Sequence, residues 1–393
     1  MAGPLHGLKV LDFTTLLPGP YATMGLADMG ADVLRIISGS RPDLAAFAPP
    51  FIPGMNISFS TAYLGRGKRC MTLNLKDPRA IEIVHRLLGD YDILVEQFRP
   101  GVMEKLGLGY AALREINPAL IYCSLTGYGQ TGPYRDRVGH DINYLARSGI
   151  MAYSGRKEGG PTLMGMQIAD VASGSNNTVI GILAAVISRN ETGRGQQIDI
   201  SMADGVIAFN ALAGNAYLVD GNEPGREAFL LNGGSLYDFY ETKDGGYISL
   251  GALEPQFFAS FCEGIGRPDL AAGGVLTENV GEVKGQIKEV VLTKTRDEWV
   301  DLFEGTDACV EPVLTLSEAL DDEQARERSL VVEIDLPTGE KVRQIAHPIK
   351  FSETRQEYRA AGVPAGTHTR EVLRELGYTD AETEEFEKEG LFR

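Results

Sequence analysis

Leu8-Lys9-Val10-Leu11-Asp12-Phe13 is a short, mostly apolar segment near the start of this 393-residue chain. It is followed by Pro18 to Met29, which has a proline near its start, and by a second apolar segment, Asp32 to Ile37. Short apolar runs are typical of buried strands, and proline is favoured in the first turn of a helix. The stretch therefore predicts a strand, a helix and a second strand, that is, a βαβ unit.

The same alternation continues along the chain. Cys70 to Leu75 is predicted to be a strand, Pro78 to Leu88 a helix, and Asp92 to Glu96 and Leu120 to Leu125 two further strands. Alternation of this kind predicts a parallel sheet with helices on both faces, as in Rossmann-like folds. The turn Thr14 to Pro20 lacks the G-x-G-x-x-G pattern, so a nicotinamide dinucleotide is not expected.

Further along, the composition predicts a change of domain. Gln167 to Arg189 is predicted to be a long, mostly buried helix, and turn residues near Pro224 precede a hairpin around Lys243 to Gly246. We predict an α/β protein with a Rossmann-like large domain, a smaller α+β domain, and a C-terminal segment that packs back on the large domain. The predicted boundaries are 1–224, 225–316 and 317–393.

Composition and charge exclude several classes of partner. The hydrophobic fraction of 43% and charged fraction of 23% are typical of a globular chain, and the net charge of −17 disfavours binding to nucleic acid or anionic membranes. No window of about 18 apolar residues is evident, and the N-terminus does not resemble a signal peptide, so a cytoplasmic protein is expected. Four widely spaced cysteines indicate neither a disulfide scaffold nor a metal site, and Cys309 is expected to be buried and structural.

Four segments could carry chemistry. They are Gly127 to Pro133, Gly139-His140-Asp141-Ile142-Asn143-Tyr144, Gln167-Ile168-Ala169-Asp170, and Gly251-Ala252-Leu253-Glu254-Pro255-Gln256-Phe257. Taken together, and over nearly the full length, the chain resembles the α-methylacyl-CoA racemases, a branch of the class III CoA-transferase superfamily. The resemblance implies an acyl-CoA substrate. The His140 and Glu254 segments are those that distinguish the racemase branch from the transferases.

The chemistry implied by this resemblance explains the residue types. Inverting the carbon next to a thioester carbonyl requires one group to remove a proton and another to return a proton on the opposite face. We assign His140 to one face and Asp170 to the other, with Glu254 accepting the second ring N–H of His140. We further expect backbone N–H groups at the helix start near Asp170 to stabilise the enolate oxygen.

Other interpretations of these residues stay open. Asp170 could cap a helix, Glu254 could be a solvated turn residue, and the glycines of these loops could simply form turns. In the transferase branch an acid at the position of Asp170 is the nucleophile of a covalent intermediate. A CoA-transferase is therefore the alternative function, and a non-catalytic CoA-binding protein is a third.

A chain with this negative charge needs a local basic surface to bind the phosphates of coenzyme A. The densest basic candidates are Arg66, Lys68 and Arg69, followed by Lys76, Arg99 and Lys105. Coenzyme A would enter as part of the substrate, and no separate cofactor or metal is expected. The resemblance places the coenzyme and substrate site at Leu73, Asn74, Leu75, Lys76, Lys105, Gly139, Asp141, Ile142, Asn143 and Tyr144.

Two segments depart from the racemase pattern. Where racemases carry Asp-Arg-Pro-Gly after the second strand, this chain has Ile37 to Pro42, in which Arg41 is the substitute candidate for coenzyme contact. The segment 43–63 is longer than in racemases and is a candidate border of the acyl pocket. The resemblance also implies an interlocked homodimer.

Overall fold

A computed structural model describes residues 2–39 and 43–393, so Arg41 lies outside the described residues. The strands are β1 (Lys9–Phe13), β2 (Asp32–Ile37), β3 (Lys68–Thr72), β4 (Ile93–Glu96), β5 (Ile121–Thr126), β6 (Gln197–Ser201), β7 (Asp238–Glu241), β8 (Tyr247–Leu250), β9 (Val310–Pro312), β10 (Val331–Asp335) and β11 (Lys341–Ile345).

The α-helices are α1 (Pro18–Asp28), α2 (Phe59–Leu64), α3 (Pro78–Leu87), α4 (Val102–Lys105), α5 (Tyr110–Ile116), α6 (Asp141–Arg147), α7 (Ile150–Tyr153), α8 (Asn176–Thr192), α9 (Met202–Ala208), α10 (Ala213–Asp220), α11 (Pro255–Gly264), α12 (Val280–Val291), α13 (Arg296–Phe303), α14 (Leu316–Asp321), α15 (Glu323–Glu327), α16 (Thr369–Glu375) and α17 (Asp380–Lys388). Two 3₁₀ helices span Leu44–Phe47 and Pro268–Gly273, and a π-helical turn spans Ala169–Ser175.

The main sheet has six parallel strands in the order β3-β2-β1-β4-β5-β6. This is the strand order of doubly wound, Rossmann-like sheets, and it confirms the predicted α/β fold. Strand order reverses between β1 and β4. In such sheets ligands bind in the crevice at the carboxyl ends of the strands on either side of that reversal.

Successive side chains along the central strands pack on opposite faces of the sheet. Leu11, Leu34 and Leu94 belong to one buried cluster, whereas their neighbours Val10 and Val33 belong to another. A strand buried on both faces has to be apolar at nearly every position, because its side chains alternate between the two faces. This is why these strands could be recognised as continuous apolar runs.

The turn after β1 is fixed by buried polar contacts. Asp12 accepts hydrogen bonds from the Thr14 hydroxyl at 2.5 Å and from Lys68 Nζ at 3.1 Å. Gly19 N donates to Gln97 Oε1 at 3.1 Å, just beyond the end of β4. Gly19 has to be glycine, because a Cβ there would lie 2.3 Å from Thr14 Cβ. These contacts hold the start of α1 against the crevice.

The chain forms two compact units. The first unit comprises Met1–Ser148, Met164–Ala208 and Glu327–Arg393, and the second comprises Gly149–Leu163 and Phe209–Arg326. These limits differ from the predicted domain boundaries at 224 and 316, which stay a prediction.

Within the first unit, the C-terminal region packs against the edge of the sheet. Cys70 N donates to His368 Nδ1 at 3.0 Å, and Asn74 N donates to Leu391 O at 2.8 Å. Residues 331–345 form the antiparallel pair β10–β11, which the sequence did not predict. Ile52 and Ile57 of the segment 43–63 pack in one cluster with Ile334 of β10.

The second unit has its own core beneath the antiparallel sheet β7-β8-β9. Trp299, Phe261 and Phe303 stack there, with Phe261 and Phe303 ring centroids 5.8 Å apart. The hairpin predicted around Lys243 to Gly246 is confirmed by the pairing of β7 with β8.

By length and composition alone, the continuous helical stretch Ala169–Thr192 is apolar enough to cross a membrane. It carries polar residues such as Asn176 and Asn177 and contacts α1 and β5 within the first unit. These contacts are typical of a helix that packs one face on a sheet. Only 33% of the apolar window is buried, so the prediction of a mostly buried helix is wrong.

Candidate active site

His140 stands immediately before α6, in a loop of the first unit. Its backbone N–H donates to Asn143 Oδ1 at 3.0 Å, which fixes the start of the helix. The buried Tyr144 donates its hydroxyl to Gly139 O at 2.6 Å. Gly127 makes room for this ring, because a Cβ there would lie 2.5 Å from the Tyr144 hydroxyl. The His140 side chain itself is exposed on this anchored loop.

Asp170 lies in the π-helical turn Ala169–Ser175, which continues directly into α8. The turn rests on α1, where Ser175 Oγ donates to Pro18 O at 2.6 Å. Burial and, to a lesser extent, the charge of Asp141 together raise the pKa of the Asp170 carboxyl to about 6, against the opposing charge of His140. The structure thus brings His140 and Asp170 within electrostatic reach of each other. A carboxyl with this pKa can donate or accept a proton near neutrality.

The amides at this helix start are already engaged, which contradicts the expectation that they stabilise an enolate oxygen. Ala169 N and Asp170 N donate to Asp141 Oδ1 at 2.6 Å and 3.2 Å, and Val171 N donates to Gln167 O at 2.9 Å. Because each N–H has one proton to share, these three donors do not face a substrate. The sequence could not show that the Asp141 side chain on α6 accepts the hydrogen bonds of Ala169 N and Asp170 N.

Glu254 and Cys309 both belong to the second unit. Glu254 is exposed at the N-cap of α11, where its backbone oxygen accepts a hydrogen bond from Phe258 N at 3.0 Å. Its orienting role toward His140 stays a prediction. Cys309 is exposed rather than buried as expected, and its backbone has a positive φ of 49°. The residue before it, Ala308, is the buried one and packs in the core of the second unit.

Arg66 and Lys68 are enclosed within the first unit, so neither presents its charge to a ligand in this structure. Arg66 donates to Asp28 at 2.6 Å and 2.9 Å, and Lys68 Nζ donates to Thr23 Oγ1 at 2.6 Å besides Asp12. Burial lowers the pKa of Lys68 to about 8, against the opposing effect of Asp12. A clustered basic sequence therefore marks internal ion pairs here, and a coenzyme role for these two residues gains no support from their placement.

The other residues predicted to bind the coenzyme differ in how far they are exposed to solvent. Arg69 is held by Glu375 at 2.8 Å and by the hydroxyl of Tyr91 at 2.9 Å. Lys76, Arg99 and Lys105 have exposed side chains, so these cations remain the basic candidates. Among the predicted residues without charge, Leu73 is buried, Asn74, Leu75 and Gly139 are partly buried, and Ile142 and Asn143 are exposed.

Two arginines near His140 were missed by the sequence analysis. The guanidinium groups of Arg137 and Arg147 lie 4.0 Å and 4.2 Å from the centroid of the Tyr134 ring. A tyrosine face attracts cations and orders their side chains. The sequence shows these arginines only as separate residues, because their shared contact with Tyr134 depends on how the loop folds. Within residues 2–39 and 43–393, no cluster of histidine, cysteine and acidic side chains could hold a metal ion.

The sequence model of CoA-transferase family III matches residues 5–369. This chain belongs to CoA-transferase family III. The match confirms the resemblance to this family. Among solved structures, a CaiB/BaiF family protein from Brucella suis superposes with a TM-score of 0.84 at 29% identity, covering 96% of this chain and 100% of that one.

Relatives with two kinds of activity are similar to this family III chain. The α-methylacyl-CoA racemase of Homo sapiens is 36% identical over 384 residues, covering 96% of this chain and 94% of the relative. The succinyl-CoA:glutarate CoA-transferase of Mus musculus is 32% identical over 380 residues, covering 95% and 86%. Membership of the family is therefore established, and the comparisons leave the choice between its reactions open.

Proposed function

We propose that this protein is a racemase or epimerase of 2-methyl-branched acyl-CoA thioesters that uses two acid/base side chains. The observation that carries the proposal is that Asp141, the residue directly after His140, accepts hydrogen bonds from Ala169 N at 2.6 Å and from Asp170 N at 3.2 Å, which brings the two acid/base residues together. A pKa raised to about 6 by burial and by the charge of Asp141, against the effect of His140, lets Asp170 hold the proton that it returns to the α carbon near neutral pH.

In the proposed reaction, the neutral ring of His140 removes the proton from the carbon next to the thioester carbonyl. The C–H electrons move into the carbonyl to give an enolate, and protonated Asp170 then delivers its proton to the opposite face. One C–H bond breaks and one forms, so the product differs from the substrate only in configuration. The enzyme is left with His140 protonated and Asp170 ionised, which is the form needed for the reverse reaction.

The proposal extends to features of the surroundings. Glu254 would orient the His140 ring, no added cofactor or metal would be needed, and the enzyme would be a cytoplasmic homodimer. Support for a second copy comes from α8, on which Ile180 and Ile187 are 62% and 64% exposed. Exposed apolar side chains of this size on one helix favour coverage by another protein surface.

A CoA-transferase is the second candidate, because the transferase relative is nearly as similar as the racemase relative. In that reaction the Asp170 carboxylate attacks the thioester carbonyl, coenzyme A leaves as a thiolate, and an acyl-aspartyl anhydride forms. Coenzyme A then attacks the aspartyl carbonyl, which releases the first carboxylate and leaves an aspartyl-CoA thioester. A second carboxylate attacks this thioester and displaces the coenzyme A thiolate, which attacks the new acyl carbonyl to give the product acyl-CoA and free Asp170. That route needs an ionised Asp170 and gives no part to His140 as a base, which is why we favour the racemase.

The test is deuterium uptake from D₂O into single enantiomers of several 2-methylacyl-CoA thioesters. A racemase incorporates one deuterium at the α carbon as the configuration inverts, and His140→Ala abolishes inversion of either enantiomer as well as uptake by the enantiomer whose α proton faces His140. If the folded protein gives no uptake with the panel but gains the mass of an Asp170 adduct when supplied with acyl-CoA, the transferase replaces our proposal.

A further inference from the structure

Asp141 connects the starts of the two helices that carry the proposed acid/base residues. It follows His140 directly as the first residue of α6, and its Oδ1 accepts hydrogen bonds from Ala169 N at 2.6 Å and Asp170 N at 3.2 Å. The carboxylate thus spans a separation of 28 and 29 residues in sequence. His140 is joined to Asp141 by a peptide bond, and Asp170 is held to the Asp141 carboxylate by its own backbone N–H.

Hydrogen bonds from backbone amides to a carboxylate are strong and directional, because the acceptor is charged. Two of them from consecutive residues hold the π-helical turn in one orientation relative to α6. The π-helical turn has its own irregular ladder, so its first amides need such an outside acceptor. Without the Asp141 carboxylate, these two amides would be left unpaired and the turn would be free to shift.

We propose that Asp141 is a positioning residue that holds His140 and Asp170 in register for the two-base reaction and places its negative charge beside the Asp170 carboxyl. The inference rests on the proposed function, which it deepens. Asp141 acts through the other two residues and not on the substrate.

The charges around Asp170 define how Asp141 acts on it. Burial and then the charge of Asp141 raise the pKa of the Asp170 carboxyl, and His140 lowers it. Burial and then the charge of Asp170 raise the pKa of Tyr144 on α6. The other elements packed against the turn are α1, α8, α9 and β6. From α1, the carbonyl oxygen of Pro18 contacts the turn through Ser175. The charged residues of α8 are Arg189 and Glu191 in its last turn, and α9 bears Asp204. The acid on β6, Asp199, accepts two hydrogen bonds from Gln130 N.

Two substitutions separate position from charge. Asp141→Asn keeps a side-chain oxygen that can accept both amide hydrogen bonds but removes the negative charge. Asp141→Ala removes both. The matched control is Asp136→Asn, which makes the same charge change at an exposed position of the preceding loop. Circular dichroism and thermal melting of each variant establish that it is folded.

The primary readout is the titration of the Asp170 carboxyl by ¹³C NMR, assigned by comparison with Asp170→Asn. We expect its pKa to fall in Asp141→Asn relative to wild type and to stay unchanged in Asp136→Asn. In the exchange assay, the pH limb due to Asp170 moves to lower pH in Asp141→Asn. In Asp141→Ala we expect kcat to fall by about 100-fold with KM changed less, as misplacement of a reacting group predicts.

The inference is overturned if the pKa of Asp170 in the Asp141→Asn variant equals that in wild type and the Asp141→Ala variant retains wild-type kcat. Failure of the racemase proposal looks different. The wild-type protein would then show no α-proton exchange with any acyl-CoA, while the NMR titration would still decide whether Asp141 controls Asp170.

Discussion

Arg66 Nη2 lies 2.6 Å from Asp28 Oδ2, and both side chains are 0% exposed. The same guanidinium donates to Gln344 Oε1 and Ile345 O, so it also ties β11 to α1. The rings of Tyr63 and Tyr358 lie 5.1 Å and 5.2 Å from it. The most conspicuous basic cluster in the sequence therefore stabilises the first unit from within.

We expect Arg66→Ala to lower the free energy of unfolding by about 3 to 5 kcal/mol, because it leaves the Asp28 carboxylate buried without its partner. Chemical denaturation measures this loss. Arg99→Ala is the matched control, because that arginine is exposed, and its stability should stay within about 0.5 kcal/mol of wild type. Equal stability of the two variants would contradict the assignment of Arg66 to the interior.

The exposed cations should instead determine affinity for coenzyme A. Arg99→Ala should raise KM for an acyl-CoA by about 10-fold, since one hydrogen bond to a charged group contributes about 1.5 to 3 kcal/mol. The same variant should show the wild-type KM for the corresponding acyl-pantetheine, which lacks the nucleotide phosphates. An equal loss with both substrates would show that Arg99 acts on something other than those phosphates.

The raised pKa of Asp170 has a consequence for stability. Because its folded pKa of about 6 exceeds the ordinary value of 3.8, its ionisation disfavours folding, and stability falls as pH rises through this interval. Asp170→Asn removes that effect. Relative to wild type, it should gain about 1 kcal/mol of unfolding free energy between pH 4 and pH 8, after allowance for solvent screening.

Paired urea denaturation curves at the two pH values measure this difference, with Asp136→Asn as a control for charge. Asp170→Asn should at the same time abolish inversion at the α carbon. A stability difference of the opposite sign would mean that the folded state favours the ionised carboxyl.

Because Gly127 and Tyr144 are in close contact, the effects of substituting them on stability should depend on each other. Gly127→Ala forces a methyl group against the Tyr144 ring, so we expect a loss of about 1 to 3 kcal/mol and a displaced His140 loop. Tyr144→Ala empties the space that the methyl group needs. In a double-mutant cycle, Gly127→Ala should therefore cost much less in the Tyr144→Ala background, and additive losses would argue against the contact.

The sequence predicted those parts of the fold that depend on local pattern. β2 has the predicted limits Asp32–Ile37, because apolar positions in a doubly buried strand are continuous. β3 begins at Lys68 rather than at the predicted Cys70. Its first two residues are basic, and their strand pairing depends on the distant carboxylates that neutralise them.

The candidate site was predictable only in part for the same reason. His140 and Asp170 could be proposed as acid/base residues from their motifs and from what the family resemblance implies. The hydrogen bonds from Ala169 and Asp170 to Asp141 could not, since they join segments 28 and 29 residues apart. The π-helical turn that presents Asp170 has no local sequence signature that would distinguish it from a regular helix start.

The central claim is that His140 and Asp170 act as two bases on opposite faces of the α carbon. Its most direct test is to incubate each enantiomer of a 2-methylacyl-CoA in D₂O with wild type, His140→Ala and Asp170→Asn, and to measure α-deuterium and configuration together. The account predicts deuterium uptake with inversion by wild type and loss of inversion in both variants. Inversion at the wild-type rate by either variant, or no uptake by the folded wild type, would contradict it.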